Sequence, residues 1–248
     1  MYENIKVSVI SHTDNIDRTI ALAARTCYSN DETETIQGDL FNRPDKVHSI
    51  IKRCLLSGHL SVFEHGSITF SLEGVSRSLL AQITRHRIAS YSVRSQRYCD
   101  MGALTPEKLA KPASNDQDVA DKFLDAYFSA LTDYRTLKEN GVPLEDARYV
   151  LPEGTPTTII VTMNIRELRH FFGLRCCSRA QHEIRYVANK MLELAKPLAP
   201  CALKWAGPKC ALRGVCTEKE SCGKYPSLYD IMKEYETNHP EVDLGYTK

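Results

Sequence analysis

The stretch SITFSLEGVSRSLLAQITRHR, from Ser67 to Arg87, changes its hydrophobic period halfway along. Over Ser67–Gly74, Ile68, Phe70 and Leu72 alternate with polar residues, a period of two that predicts a half-buried strand. From Val75 the apolar residues Leu79, Leu80 and Ile83 fall at helical spacing, which predicts a helix running into Arg85. Strands and helices elsewhere do not follow a strict βαβ rhythm, so the class is α+β rather than doubly wound. The expected architecture is a mainly antiparallel sheet packed with helices, one of them long.

Outward from this stretch, Ile5–Ile10 alternates as a strand, and Ile16, Ile20, Leu22 and Ala23 suggest a helix after it. A helix over about 48–56 is stopped by Gly58. Ser114 with Gln117 reads as a capping box opening the longest helix, striped by Val119, Phe123, Ala126, Tyr127, Ala130, Leu131 and Tyr134 and ended by Asn140-Gly141. The β-branched run TTIIVTM predicts another strand. Asn164 follows as an N-cap with Glu167 at the third helical position, and Gly173 is the expected end of that helix. Ser178 and Gln181 open a last helix that reaches about Ala195. Residues 1–200 are read as one domain and 201–248 as a cysteine-containing appendage.

The 248 residues are 42% apolar and 25% charged, ordinary for a globular chain, with 32 basic against 31 acidic side chains and a net charge of +1. That balance weighs against a general nucleic-acid binder, whose affinity rests on a broad basic surplus. No apolar run approaches the ~20 residues that span a bilayer, and the N-terminus shows no signal peptide, so a cytoplasmic protein is expected.

Positive charge is nevertheless concentrated. RHRIASYSVRSQRY, Arg85–Tyr98, carries Arg85, Arg87, Arg94 and Arg97 with no lysine, and no acid occurs from Val75 to Cys99. A solvated helix end is the plain alternative. Serines 90, 92 and 95 among the arginines favour instead a small phosphate-bearing ligand, because such donors grip phosphate oxygens and guanidinium forks read planar edges. A second cluster, NIRELRHFFGLRCCSRAQHEIR from Asn164 to Arg185, holds Arg166, Arg169, Arg175, Arg179 and Arg185. Arg166 and His170 share a helix face. Arg169 and Arg185 are expected to pair with Glu167 and Glu183. Arg148 stands alone between the clusters, before YVLP.

RHR followed by seven residues and Ser95 resembles the signature of the flavin-dependent thymidylate synthases. GHLSVFEH (Gly58–His65), ARYVLP (Ala147–Pro152) and the Asn164–Arg185 block resemble that family's other motifs, in order, over about residues 1–200. The resemblance implies conversion of dUMP to dTMP, with carbon from methylenetetrahydrofolate and hydride carried by FAD that NADPH reduces. It implies that Ser61, Arg85, His86, Arg87, Asn164, Arg166 and His170 contact FAD, with backbone contact near Val93 and with His59 near the flavin ring. Gln82, Arg85, Ser95, Gln96, Arg97 and Arg148 would hold the nucleotide, and Arg175 would stabilise charge on the pyrimidine. Arg175, Ser95 and His59 are thus the candidate catalytic residues. Ser95 is assigned to binding rather than attack, because arginines around it are poor bases. Sites shared between subunits of a homotetramer are implied as well. Ser92, Val93, His170, Arg179 and Val62 depart from common family residues.

No cysteine has an obvious base beside it, so none is expected to be a nucleophile. Cys201, Cys210, Cys216 and Cys222 are spaced nine, six and six apart, without the tight pairs of zinc sites. Spacing therefore favours free or pairing thiols over a metal, and no metal ligand is assigned. Two alternatives from other classes stand beside the enzyme: a non-catalytic nucleotide- or RNA-binding module, and a metal-stabilised interaction protein built on the cysteine tail.

Overall fold

The alternating stretch becomes the strand around which the sheet is built. The computed structural model describes residues 2–112, 114, 116–243 and 245. In it β2 (Ser67–Ser76) lies between β1 (Lys6–His12) and β4 (Pro156–Asn164), and β3 (Ala89–Val93) pairs the other side of β4. Every pairing is antiparallel, as expected. The inward residues meet directly across the central pair: Ile68 opposes Met163, Phe70 opposes Val161 and Leu72 opposes Ile159, and all six are buried.

Helices α1 (Ile16–Thr26), α2 (Thr33–Asn42) and α3 (Pro44–Ser57) follow β1, and α4 (Arg77–Ile83) follows β2. After β3 come the long α5 (Gln117–Glu139) and the short α6 (Leu144–Ala147). After β4 come α7 (Ile165–Arg175), α8 (His182–Ala195), α9 (Lys209–Arg213) and α10 (Leu228–Asn238). Ile20 of α1, Ile51 of α3, Phe171 and Phe172 of α7, and Val187 and Met191 of α8 join the sheet in the main core. Ala199, Ala202 and Leu203 belong to the same core. Helix α5 packs separately: Tyr134 with Met101 and Ala147, and Tyr127 and Leu131 with Leu109. No helix among the described residues is long and apolar enough to cross a membrane.

Several boundaries differ from the sequence expectation, each for a local reason. Helix α4 stops at Ile83, and the chain then re-extends as β3, whose Ala-Ser-Tyr-Ser-Val alternation lay unread beside the charge pattern. Helix α2 was not expected. Helix α5 starts at Gln117 because Asp116 Oδ1, not Ser114, accepts from the Asp118 and Val119 amides at 3.0 and 3.4 Å. Helix α7 continues through the buried Gly173 to Arg175. Helix α8 is capped by Gln181, whose Oε1 accepts from the Glu183 and Ile184 amides, rather than by Ser178.

The turn from β2 into α4 is fixed by a buried carboxylate. Glu183 of α8 accepts from the Ser76 amide at 2.7 Å and from the Ser76 hydroxyl at 2.5 Å. Ser76 Oγ in turn accepts from the Leu79 amide at 3.0 Å, capping α4. Just before this turn Gly74 sits at φ 73, where the β2–β4 register shifts. A Cβ at Gly74 would stand 2.1 Å from the Asn4 carbonyl oxygen, backbone that cannot swing away as a side chain does. Gly74→Ala is expected to lower stability by about 2 kcal/mol or more, read as a lower urea midpoint at unchanged slope. A midpoint equal to that of the parent protein would show that the Asn4 segment yields freely.

Candidate active site

Helices α4 and α7 bring three charged or polar side chains into one buried chain of hydrogen bonds. Asn164 caps α7 by accepting from the Glu167 amide at 2.8 Å, which places the Glu167 carboxylate in the first turn. That carboxylate faces inward to His86, with Nδ1 2.9 Å from Oε1. Two turns further along α7, Arg175 Nε donates to His86 Nε2 at 3.1 Å, and its Nη2 donates to the Gln82 carbonyl at 3.0 Å. An arginine Nε can only donate, so His86 Nε2 must accept. The imidazole is therefore neutral, with its proton on Nδ1 donated to Glu167.

Burial agrees with that assignment. His86 is 4% exposed and Glu167 7% exposed. Burial pulls the His86 pKa below its usual 6.5, the Glu167 hydrogen bond opposes that, and the Arg175 charge adds to it. The Tyr91 hydroxyl lies 2.7 Å from the Ile83 carbonyl and 2.9 Å from that of His86, tying β3 to the turn that carries the ring. Phe171 and His170 stand edge-on to the ring. His86, a residue the resemblance assigns to cofactor contact, is buried with both ring nitrogens engaged, and it orients Arg175. Arg175 is half-buried, and its Nη1 has no partner among the described residues. Burial lowers its pKa, yet a guanidinium stays charged.

Among the described residues, His86, Glu167 and His170 bring three possible ligand atoms within 4.8 Å. Nδ1 holds the proton, the Nε2 lone pair accepts from a guanidinium, and that guanidinium's charge opposes a cation. The His86–Glu167 pair is a hydrogen-bonded support for Arg175.

The other predicted residues form two further groups. Arg97 Nε pairs with Glu145 at 2.5 Å, and Arg148 Nε donates to the Glu145 carbonyl at 2.8 Å. Ser95 Oγ accepts from the Arg97 amide at 3.1 Å and has no base beside it among the described residues. Gln96 and Arg148 line a cleft of about 340 Å³ with Arg77 and Tyr149. The third group lies at the start of α7, where Arg166 pairs with Glu64 at 2.5 Å, three residues beyond the exposed Ser61. His59 and His170 are exposed, and Val93 is half-buried in β3. Among the described residues, no side-chain hydrogen bond joins Arg175 to the Ser95–Arg148 group.

Arg85, Arg87 and Arg94 are exposed, and their guanidiniums have no partner among the described residues. Unpaired guanidiniums close in sequence suit the phosphates of a dinucleotide, so the donor set fits FAD. The remaining arginines have structural duties. Arg169 and Arg185 do not pair with Glu167 and Glu183, whose carboxylates are taken by His86 and Ser76. Arg169 donates to the Ala202 carbonyl at 2.6 Å, and burial brings its pKa down to about 10. Arg185 donates to the Ser178 carbonyl at 2.6 Å. Sequence reasoning missed Glu145, Tyr91 and the inward turn of Glu167; Glu167 was visible only as a capping residue.

A sheet whose helix ends present one locked guanidinium and several unpaired ones defines a binder of planar, anionic ligands. The family described as thymidylate synthase complementing protein, Thy1, matches residues 8–201. A flavin-dependent thymidylate synthase of Geobacter sulfurreducens is 43% identical over 232 residues, covering 93% of this chain and 99% of that protein. One from Saccharolobus solfataricus is 40% identical over 235 residues, covering 93% and 87%. The crystal structure of the UMP/dUMP methylase PolB from Streptomyces cacaoi, bound with 5-Br dUMP, is similar at a TM-score of 0.67 and 26% identity, covering 81% of this chain and 93% of that one. The chain belongs to the Thy1 family.

The lowered His86 pKa fixes the sign of a pH effect. Below about 6.5 the unfolded chain binds a proton that the folded chain resists, so this contribution to stability is present above 6.5 and is lost as pH falls through the folded value. The loss in melting temperature between pH 8 and pH 5 should be smaller in His86→Gln than in the parent. Identical losses by differential scanning calorimetry would mean that His86 protonates freely in the folded state.

Proposed function

We propose that this chain is an FAD-dependent thymidylate synthase that converts dUMP to dTMP, with methylenetetrahydrofolate as carbon donor and NADPH as reductant. The observation that carries the reading is Arg175, a half-buried guanidinium locked by His86 and the Gln82 carbonyl with Nη1 left for a ligand. The names of the Geobacter and Saccharolobus relatives and the 5-Br dUMP held by the Streptomyces methylase support the same substrate.

FAD, when bound, supplies the hydride; the protein positions and polarises. Arg85 and Arg87 would hold its phosphates. Ser61, Asn164, Arg166 and His170 would lie along it, with His59 near the ring and the backbone at Ser92 and Val93 as further donors. Gln82, Ser95, Gln96, Arg97 and Arg148 would hold dUMP, the arginines on its phosphate. Arg175 presents N–H donors to the pyrimidine and stabilises negative charge as the ring ionises. Its orientation is set before substrate arrives, so no reorganisation is needed when that charge develops. Cys176, beside Arg175 in sequence, is no nucleophile: burial pushes its thiol up to about 12, far from the thiolate a nucleophile needs.

Ile88, Tyr98 and Tyr149 are exposed apolar side chains beside the arginine-bearing segments. Together with the separation of Arg175 from the Arg97–Arg148 group, they support sites shared between subunits of a cytoplasmic homotetramer.

The reading is tested by dTMP formation from dUMP, methylenetetrahydrofolate and NADPH, with and without FAD. Purified protein that neither binds FAD nor forms dTMP would end it. Arg175→Ala is expected to keep fold and flavin while losing about 3 kcal/mol of transition-state stabilisation, roughly a hundredfold in rate. Near-normal turnover in that variant would remove Arg175 from the reaction. Mixing Arg175→Ala with Arg97→Ala chains after subunit exchange should restore part of the activity that each lacks alone. A monomer by light scattering, or no restoration in the mixture, would place both residues in one chain's site.

A further inference from the structure

We propose that Cys177, Cys210, Cys216 and Cys222 bind one zinc ion as a four-thiolate site that fastens the C-terminal segment to the end of α7. This goes beyond the proposed activity and does not depend on it.

The segment after Ala206 carries helices α9 and α10, yet Cys216 is its only buried hydrophobic side chain among the described residues. A segment that small, with almost no apolar interior, needs a cross-link to hold a defined shape. Links from it converge on the turn that ends α7. Arg179 pairs with Glu218 at 3.4 Å and with Glu220 at 3.7 Å. A Cβ at Gly173 would lie 3.4 Å from Lys209 Cγ, so α9 rests on α7 at its glycine.

Sulfur chemistry gathers at the same place. The Cys210 thiol lies within electrostatic reach of Cys216, Cys177 and Cys222. Spacing in the sequence suggested Cys201 as the fourth member. That residue stands apart, with its sulfur 3.7 Å from His48 Nδ1 and its amide bonded to Asp17. The fold substitutes Cys177, distant in sequence, which supplies what the wide 210–216–222 spacing lacks. Cys210 lies in α9, and the other two tail cysteines sit near shaped turns. Gly214, at φ 70, follows α9, and Gly223, at φ 79, follows Cys222. Cys216 is pinned by its amide to the Pro226 carbonyl at 2.8 Å and by its carbonyl to the Leu228 amide at 2.7 Å.

Four thiolates are the donor set of a closed structural zinc site, with Zn–S distances of about 2.3 Å. Each thiol gives its proton to solvent as its sulfur takes the metal, so up to four protons leave per zinc and the site carries a net double negative charge. Lys224, within electrostatic reach of Cys222, lies on the side where that charge accumulates. The sulfurs are not at ligand spacing here, since the trio at His86 is the group with ligand atoms within 4.8 Å among the described residues. Zinc therefore draws the 210–222 loop inward onto Cys177. Cys177 is two residues past Arg175, so the metal also stiffens the end of α7 that carries the guanidinium.

The test is elemental analysis of the purified full-length chain together with zinc X-ray absorption, readouts independent of catalysis. About one zinc per chain with four sulfur neighbours near 2.3 Å is expected. Cys177→Ser and Cys216→Ser should each lower the zinc content at least about tenfold, whereas Cys201→Ser should leave it unchanged. If a variant fails to fold, the absorption spectrum of the unaltered protein decides by its sulfur count. Folded protein that takes up no zinc would overturn the proposal. So would iron with acid-labile sulfide in its place, disulfides among the four cysteines, or full zinc retention in Cys177→Ser.

Discussion

The arrangement depends on two buried carboxylates, Glu183 and Glu167, each turned into the protein rather than toward the arginines around it. An ionised carboxylate in an apolar interior is tolerated only when its oxygens are hydrogen-bonded. Glu183 meets that demand with the amide and hydroxyl of Ser76, and so fixes where β2 ends and α4 begins. Glu167 meets it with His86 and so fixes which nitrogen of the ring is bare. The first sets the position of the backbone that carries Gln82 and His86; the second sets the direction of Arg175. Removing either carboxylate would leave donors without an acceptor in the interior, a larger loss than the bond itself contributes.

The arginines divide accordingly. Arg169 and Arg185 close off backbone carbonyls, Arg179 holds the C-terminal segment, and Arg97 and Arg166 lean on exposed glutamates. Exposed pairs of the last kind are weak and exchange easily for a stronger anion, whereas the carbonyl-bound ones are not available. Ion pairs such as Arg97–Glu145 therefore keep a cation in place without withholding it.

Much of this was legible in the sequence because period and punctuation agreed: Ile68, Phe70 and Leu72 faced inward, Gly58 ended α3, and Asn164 capped α7. What escaped had tertiary causes. Strand β3 hid under a charge pattern that drew attention to its arginines. Gln181 outcompeted Ser178 as a cap although serine is the better cap in isolation, because position rather than propensity decided. The motif residues of the site were readable as a set through their resemblance to a family. The grouping was not, since no local pattern says that His86 faces Glu167 rather than a ligand, or that Cys177 faces the tail.

The strand order carries a consequence for how the chain is made. β2 pairs with β4, so Ser67 must find Asn164, a partner 97 positions later in the chain (164 − 67). During synthesis at about 5–20 residues per second, the open edge of β2 waits roughly 5–20 s for the strand that pairs with it. Only β1 is already available to pair with β2, and a two-stranded unit is marginal in water. The ribosome-bound intermediate is thus an apolar ribbon with an open edge, the kind of surface that binds chaperones or other nascent chains before it binds its own β4.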